Sequence, residues 1–258
     1  MSSLAGKRIL VTRAEHQAIS LSEELKKVGG EPVEVPLLGF YPRNDGKNIT
    51  TIARLHEYAW MIFTSSNGVK FFFDLWDKHG EEWPKDLKIA AVGEKTDEAL
   101  RQHNHTADFM PSTYTAEVMA DEFRQVDPDP GKVLVVRGNL SRDVLPEAFR
   151  EQHVLFQTIT VYDTLPMKEN KRQLLQEMND QPMDGLTFTS PSTIRAFHSF
   201  CEGEQQFEDW LHLPCLCIGP TTASEAERTG FKEIITPDSL YTVEGMVDAL
   251  RKYFNQKG

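Results

Sequence analysis

Six short stretches of this chain gather the residue types that hold anions. They are Thr12-Arg13, Thr64-Ser65-Ser66-Asn67-Gly68, Gly93-Glu94-Lys95-Thr96, Arg137-Gly138-Asn139-Leu140-Ser141-Arg142, Thr189-Ser190-Pro191-Ser192 and Gly219-Pro220-Thr221-Thr222. Each follows a strand-like apolar run, and most lead directly into a helical pattern. A helix N-terminus offers free backbone N–H groups and the positive end of a dipole. In open parallel sheets, ligands bind beyond the carboxyl ends of the strands. Ser, Thr, Asn and Gly are also ordinary N-cap residues, so capping explains any one of these loops by itself. Six together, with Arg13, Arg137 and Arg142 among them, point to a site for several carboxylates or phosphates. The residues expected to bind are Thr12, Arg13, Ser65, Ser66, Asn67, Gly93, Thr96, Arg137, Gly138, Asn139, Arg142, Ser190, Ser192, Gly219, Thr221 and Thr222.

Tyr162 stands apart. It ends the strand-like run Ile159-Thr160-Val161-Tyr162, just before Leu165-Pro166. A tyrosine there can be an amphipathic packing residue. Alternatively, its phenol donates a proton or hydrogen bond to a departing hydroxyl while uncharged at neutral pH.

Other chemistries lack their signatures. No G-x-G-x-x-G follows a strand, and no G-x-S-x-G elbow is present. In Gly93-Glu94-Lys95-Thr96 a Glu interrupts the Gly-Lys step of a phosphate loop. Cys215 and Cys217 share a strand face, but no second pair completes zinc spacing, so they read as core residues and no metal is expected. His103 and His105 read as helix C-terminal residues on different faces, and Glu117 and Glu244 as first-turn acids favoured by the dipole.

Strands and amphipathic helices alternate to position these loops. Strand-like runs are Lys7–Val11, Pro32–Val35, Trp60–Phe63, Lys88–Val92, Ala107–Met110, Lys132–Val136, Val154–Val161, Gly185–Phe188, Cys215–Ile218 and Glu233–Ile235. Regular βα alternation implies α/β architecture, with parallel sheets covered on both faces. So many strands call for two sheets. The chain also repeats itself. Gly6-Lys7-Arg8-Ile9-Leu10-Val11 recurs as Gly131-Lys132-Val133-Leu134-Val135-Val136, 125 residues later. Phe63-Thr64-Ser65 recurs at Phe188, Ala91-Val92-Gly93 at Cys217, and Tyr114-Thr115 at Tyr241, at offsets of 125, 126 and 127. One α/β half has been duplicated.

The chain has 258 residues, 28 Lys and Arg against 39 Asp and Glu, and a net charge of −11. That balance disfavours nucleic acid and anionic membrane as partners. It does not disfavour an acidic small molecule, because the excess acid lies in stretches such as Glu23-Glu24 and Glu81-Glu82, away from the strand-end loops. Three cysteines make no disulfide framework, and neither a spanning segment nor a signal-peptide apolar region is evident, so the cytosol is expected.

Over nearly its whole length the chain resembles the uroporphyrinogen-III synthase family. The carrying elements are Ile9–Arg13, Phe63–Val69, Val92-Gly93 with Thr96, Arg137–Arg142, Val161–Thr164, Phe188–Ser192, Ile218–Thr222 and Tyr241–Gly245. The resemblance implies two flavodoxin-like doubly wound domains joined by a two-stranded linker, with a deep cleft between them. One domain would comprise 1–36 with 167–258 and the other 43–161, with linkers at 37–42 and 162–166. It implies closure of the linear tetrapyrrole hydroxymethylbilane, with inversion of ring D and loss of water, by a monomer needing no cofactor. Transient hand-over from the bilane-forming enzyme is a further expectation. Loss of the hydroxyl would give an azafulvene cation, and attack by ring D would give a spiro intermediate that fragments and recloses. Tyr162 would assist departure of the hydroxyl. The competing class is a non-catalytic two-domain receptor closing on a small anionic metabolite.

Overall fold

The structure, a computed structural model, describes residues 4–257 and, of Glu15 and His16, the backbone alone. The first half of the chain forms β1 (Arg8–Val11), α1 (Glu15–Lys27), β2 (Glu31–Glu34), β3 (Leu38–Pro42), α2 (Gly46–Ala53), β4 (Trp60–Phe63), α3 (Ser66–His79), β5 (Lys88–Ala91), α4 (Glu94–Gln102) and α5 (Ala116–Val126). The second half forms β6 (Val133–Gly138), α6 (Val144–Glu151), β7 (Phe156–Pro166), α7 (Lys171–Asp180), β8 (Gly185–Phe188), α8 (Pro191–Cys201), α9 (Phe207–Trp210), β9 (Pro214–Cys217), α10 (Pro220–Arg228), β10 (Glu233–Ile235) and α11 (Val243–Lys257). Two compact units result, residues 1–39 with 165–258, and 40–164.

The strands read as unbroken apolar runs because both faces of each sheet are covered. In β4, Met61 and Phe63 face one core and Trp60 and Ile62 the other. In β1, Leu10 faces one core while Ile9 and Val11 face the second. This period of two shares each strand between two helical layers. In the second unit, α3 and α4 cover one face through Phe72 and Leu100, and α5 and α6 the other through Phe123 and Phe149.

The sheet orders are β10-β9-β8-β1-β2 and β3-β7-β6-β4-β5. The pairs β1·β2, β1·β8, β8·β9, β9·β10, β4·β5, β4·β6 and β6·β7 are all parallel. The sequence repeat is a repeat of sheet position. Leu10 pairs with Val33 in one unit, and Val135 pairs with Thr158 in the other, an offset of 125 on both strands. Thus β1, β2, β8 and β9 occupy the places of β6, β7, β4 and β5. Each sheet has the doubly wound order 2-1-3-4, which reverses direction between its first and third strands. That switch point lies between β1 and β8 in one unit and between β6 and β4 in the other.

Two local expectations are corrected. Ala107–Met110 is no strand; it makes a single bridge, Phe109 to Ala90. The Asp108 carboxylate accepts the Ile89 N–H at 2.8 Å, so a side chain takes a ladder donor, and Pro111 cannot supply the next one. His103 and His105 also share one side rather than opposite faces. Asn104 adopts φ 61° just past α4, and the turn brings both imidazoles onto Phe73, with ring centroids 4.3 and 5.2 Å away. Among the described residues no helix is long and apolar enough to cross a membrane.

Candidate functional site

The second unit has a cavity of about 300 Å³ at its switch point. Thr64 and Ser65 follow β4, Arg137 is the last but one residue of β6, and Ser141 and Arg142 lie in the loop after it; Tyr114, Thr115 and Tyr162 complete the polar wall. A larger hollow of about 690 Å³ lies at the amino ends of β4 and β5, away from the strand ends where ligands bind in this architecture.

Tyr162 is placed by an irregularity in the β6·β7 ladder. Arg137 pairs with Thr160, but Gly138 pairs with Tyr162, so Val161 is skipped. The bulge re-aims β7, and both Val161 and Tyr162 join the same core. The Tyr162 ring stacks on Phe71 at 5.2 Å and meets the edge of Phe40 at 5.7 Å. Only 7% of Tyr162 is exposed, yet its side borders the cavity. Among the described residues its phenol oxygen has no hydrogen-bond partner. Gly138 makes this placement possible. A Cβ there would stand 2.6 Å from Tyr162 Cε2 and 2.7 Å from Oη.

Two capped helices border the cavity or its rim. Ser65 caps α3, its Oγ accepting the Gly68 N–H at 3.1 Å. The Ser66 and Asn67 N–H groups precede the first helical acceptor and face outward from the helix end. Gly93 caps α4, leaving the N–H groups of Glu94 and Lys95 in the same position. Thr96 is buried, and its N–H bonds the Gly93 carbonyl at 2.9 Å. The first unit is sparser. Ser190 caps α8, but Pro191 has no N–H, so Ser192 is the one early donor. Gly219 caps α10, where Pro220 likewise leaves Thr221, because Thr222 N–H bonds the Gly219 carbonyl at 3.1 Å.

The three arginines are not free charges. Arg137 is 12% exposed, donating to Asp143 at 2.5 Å and to the Ser141 carbonyl. Arg137 in turn holds the Asp143 carboxyl below its ordinary range through that hydrogen bond and its charge. Arg142 is 76% exposed and stands 3.6 Å from Glu117. Arg13 donates to Gln17 Oε1 at 3.1 Å, and burial lowers its proton affinity.

Several expected binders are committed to the fold. The Thr12 hydroxyl is buried and donates to the Thr187 carbonyl at 2.7 Å, closing the first unit's switch point. The Gly138 N–H bonds Ser141 Oγ at 3.1 Å. Asn139 Oδ1 accepts the Thr164 N–H at 2.8 Å and ties the β6 loop to β7. Ser190 Oγ lies 2.9 Å from Ser192 Oγ. The cavity instead enlists Tyr114 and Thr115, which the strand-end rule did not select; the signal for them was the Tyr-Thr repeat at position 241. The units also differ where it matters. Leu37, fully buried, stands 125 residues before Tyr162, and Arg13 stands 125 before Gly138.

Among the described residues no cluster of three or more His, Cys, Asp or Glu could hold a metal ion. Burial pushes the Cys201 thiol up to about 12 and raises Cys215 as well, so neither is a ready nucleophile.

Residues 19–248 match the family model described as uroporphyrinogen-III synthase HemD. The uroporphyrinogen-III synthase of Chlorobaculum parvum is 32% identical over 240 residues, covering 90% of this chain and 93% of that one. The porphyrin biosynthesis protein HemD of Ruminiclostridium josui is 28% identical over 96% of this chain, which spans 48% of that longer protein. In fold, the chain is similar to a mutant uroporphyrinogen III synthase from the extreme thermophile Thermus thermophilus, with TM-score 0.62, 15% identity and coverage of 98% and 100%. It is also similar to the uroporphyrinogen-III synthetase of Helicobacter pylori, with TM-score 0.61, 17% identity and coverage of 96% and 99%.

Proposed function

The chain belongs to the uroporphyrinogen-III synthase family, and from that premise we propose how its residues carry the reaction. The enzyme is a lyase of tetrapyrrole biosynthesis. It closes hydroxymethylbilane to uroporphyrinogen III, inverting ring D and releasing water. Family membership over residues 19–248 is the observation that carries this reading.

The bilane is intrinsically reactive, so the protein's main task is to hold it in the folded arrangement that leads to inversion. Its carboxylates suit donors that need no counter-charge. The N–H groups of Ser66, Asn67, Glu94 and Lys95 in one unit, with those of Ser192 and Thr221 in the other, supply them. Ser65, Gly93, Ser190 and Gly219 act by capping or shaping those helix ends. Arg137, Arg142 and Arg13 supply charge-assisted donors, with Arg137 already oriented by Asp143. Thr12, Thr96, Gly138, Asn139 and Thr222 support the loops.

Tyr162 Oη donates its proton to the terminal hydroxyl, and the C–O bond breaks to release water and an azafulvenium cation. The substituted α-carbon of ring D attacks that cation to give the spiro intermediate, which fragments and recloses. The final ring carbon loses a proton, which returns to the phenolate. Its placement beside the cavity, without an internal hydrogen-bond partner among the described residues, supports this role. The enzyme acts as a monomer, segments 37–42 and 162–166 serve as linkers, and the bilane-forming enzyme hands the substrate over transiently.

The test supplies hydroxymethylbilane, oxidises the products and measures type III against type I porphyrin. A dominant type III product is expected; a ratio equal to that without enzyme overturns the reading. Tyr162→Phe is expected to lower kcat about a hundredfold while product affinity stays within about twofold. Unchanged kcat would remove Tyr162 from the chemistry.

A further inference from the structure

We propose that Tyr114 and Tyr241 are matched aromatic contacts for the pyrrole rings of the tetrapyrrole, one on each unit. This rests on the synthase reading above. Both side chains are large and apolar, yet they are 57% and 53% exposed. Exposure of one tyrosine would signify little. The same exposure at two places related by duplication is a property of the design. Tyr114 follows the segment whose Phe109 bridges to β5, and Tyr241 follows β10, which pairs with β9; β5 and β9 hold equivalent positions in their sheets.

The glycines beneath them supply the second observation. A Cβ on Gly93 would stand 3.2 Å from Tyr114 Cβ, and one on Gly219 would stand 3.3 Å from Tyr241 Cδ1. Gly93 has φ −164° and Gly219 φ −174°, extended backbone open to any residue. Backbone freedom therefore does not call for glycine at either place; room for the tyrosine does. The residue after each tyrosine fixes the chain direction. Thr115 Oγ1 accepts the Val118 N–H at 3.2 Å, and Thr242 Oγ1 accepts the Gly245 N–H at 3.2 Å. Each ring is thus held at a capped helix start while much of it stays open.

The chemistry fits the substrate. Helix N-termini satisfy carboxylates but offer nothing to the faces of four pyrrole rings. Tyr114 puts an aromatic wall into the cavity that also holds Tyr162. A tyrosine face stacks on an electron-rich pyrrole and attracts the cation formed when the hydroxyl leaves. The purely structural alternative is a hydrophobic staple, in which the residue before the cap packs on the fourth helical residue, here Met119 or Met246.

The two roles separate by measurement. Tyr114→Ala and Tyr241→Ala are each expected to raise KM and weaken uroporphyrin III binding about tenfold, with the unfolding midpoint within about 2 °C of wild type. Tyr114→Phe restores both values. Tyr114→Leu keeps the apolar bulk of a staple without an aromatic face, and it still shows the raised KM. A lowered midpoint with wild-type KM and porphyrin affinity overturns the proposal in favour of the staple. A wild-type enzyme giving no excess of type III product fails the synthase reading itself, whereas unchanged KM in the variants of an active enzyme fails the tyrosine contact alone.

Discussion

Adding one methyl group at Gly138 tests whether Tyr162 works by its exact position. The added Cβ would meet Tyr162 Cε2 at 2.6 Å and Oη at 2.7 Å. Carbon atoms in good contact stand about 3.5–4.0 Å apart, so the ring must retreat by about 1 Å. It has little room, being stacked on Phe71 at 5.2 Å and edged by Phe40 at 5.7 Å. No left-handed backbone is involved, since Gly138 does not have a positive φ. Overpacking of this kind costs about 1–3 kcal/mol, equivalent to a fall of roughly 3–10 °C in Tm for a protein of this size. Displacing a reacting group by 1 Å costs on the order of a hundredfold in rate. Gly138→Ala is therefore expected to lower kcat about a hundredfold, out of proportion to its stability loss at assay temperature. The assay is initial-rate formation of type III porphyrin, paired with thermal unfolding. In a Tyr162→Phe background the same methyl should lower Tm again but leave kcat nearly where it was, because the phenol is already gone. Wild-type kcat in Gly138→Ala, or a full second hundredfold loss in the double variant, would show that the position of the Tyr162 phenol does not set the rate.

Three further outcomes rest on the same geometry. Thr222→Ala is expected to change product affinity by less than about threefold, since its side chain is buried beneath the helix end and carboxylates are held redundantly; a larger loss by fluorescence titration would make Thr222 a direct ligand. Ser65→Ala removes the acceptor for the Gly68 N–H and should cost about 1 kcal/mol of stability in denaturant unfolding; no loss would deny the cap. His105 is held below its ordinary pKa of 6.5 by burial and then by the charge of His103. The unfolded chain therefore takes up a proton that the native state resists. Stability is undisturbed above about pH 7 and falls as pH drops through 6.5 toward the native pKa. His105→Gln should lose less Tm than wild type between pH 7.5 and 5.5, and equal losses would exclude His105 as the cause.

The fold was legible because it is written in periodicity. Runs such as Trp60–Phe63 and Val133–Val136 are apolar on both faces, and their regular alternation with amphipathic helices selects parallel strands under two helical layers. The duplication was legible as a constant offset, and the paired registers of β1·β2 and β6·β7 give that offset structural meaning. The loops were legible as strand ends. Their individual roles were not, because a hydroxyl reads the same in sequence whether it caps, staples or faces a ligand. Thr12 illustrates this: its hydroxyl is spent on the Thr187 carbonyl. Arg137 does too, its charge matched by an Asp143 six residues on. The bulge that skips Val161 leaves no mark in composition, and it is what puts Tyr162 beside the cavity.

The duplication also shows how the two units came to differ. Equivalent strands and equivalent glycine-capped helices persist in both, yet the switch points have diverged. In the first unit Thr12 bridges β1 to β8, and buried Leu37 stands where the other unit has Tyr162. In the second, Gly138 clears space for a phenol, and a cavity of about 300 Å³ remains. Prolines at 191 and 220 remove a donor from each helix start in the first unit, whereas Ser66 and Glu94 retain theirs in the second. An ancestral sheet with two like strand-end sites has thus kept its aromatic rim on both copies, at Tyr114 and Tyr241, while the phenol poised at a switch point, Tyr162, has its counterpart in an aliphatic Leu37. If the reaction needed two acid–base centres, divergence would have left a polar residue at position 37. Leu37→Tyr is accordingly expected to destabilise the first unit by overpacking, about 1–3 kcal/mol, and to leave the type III ratio unchanged. A rise in kcat for that variant would show that the first unit's switch point is chemically competent after all.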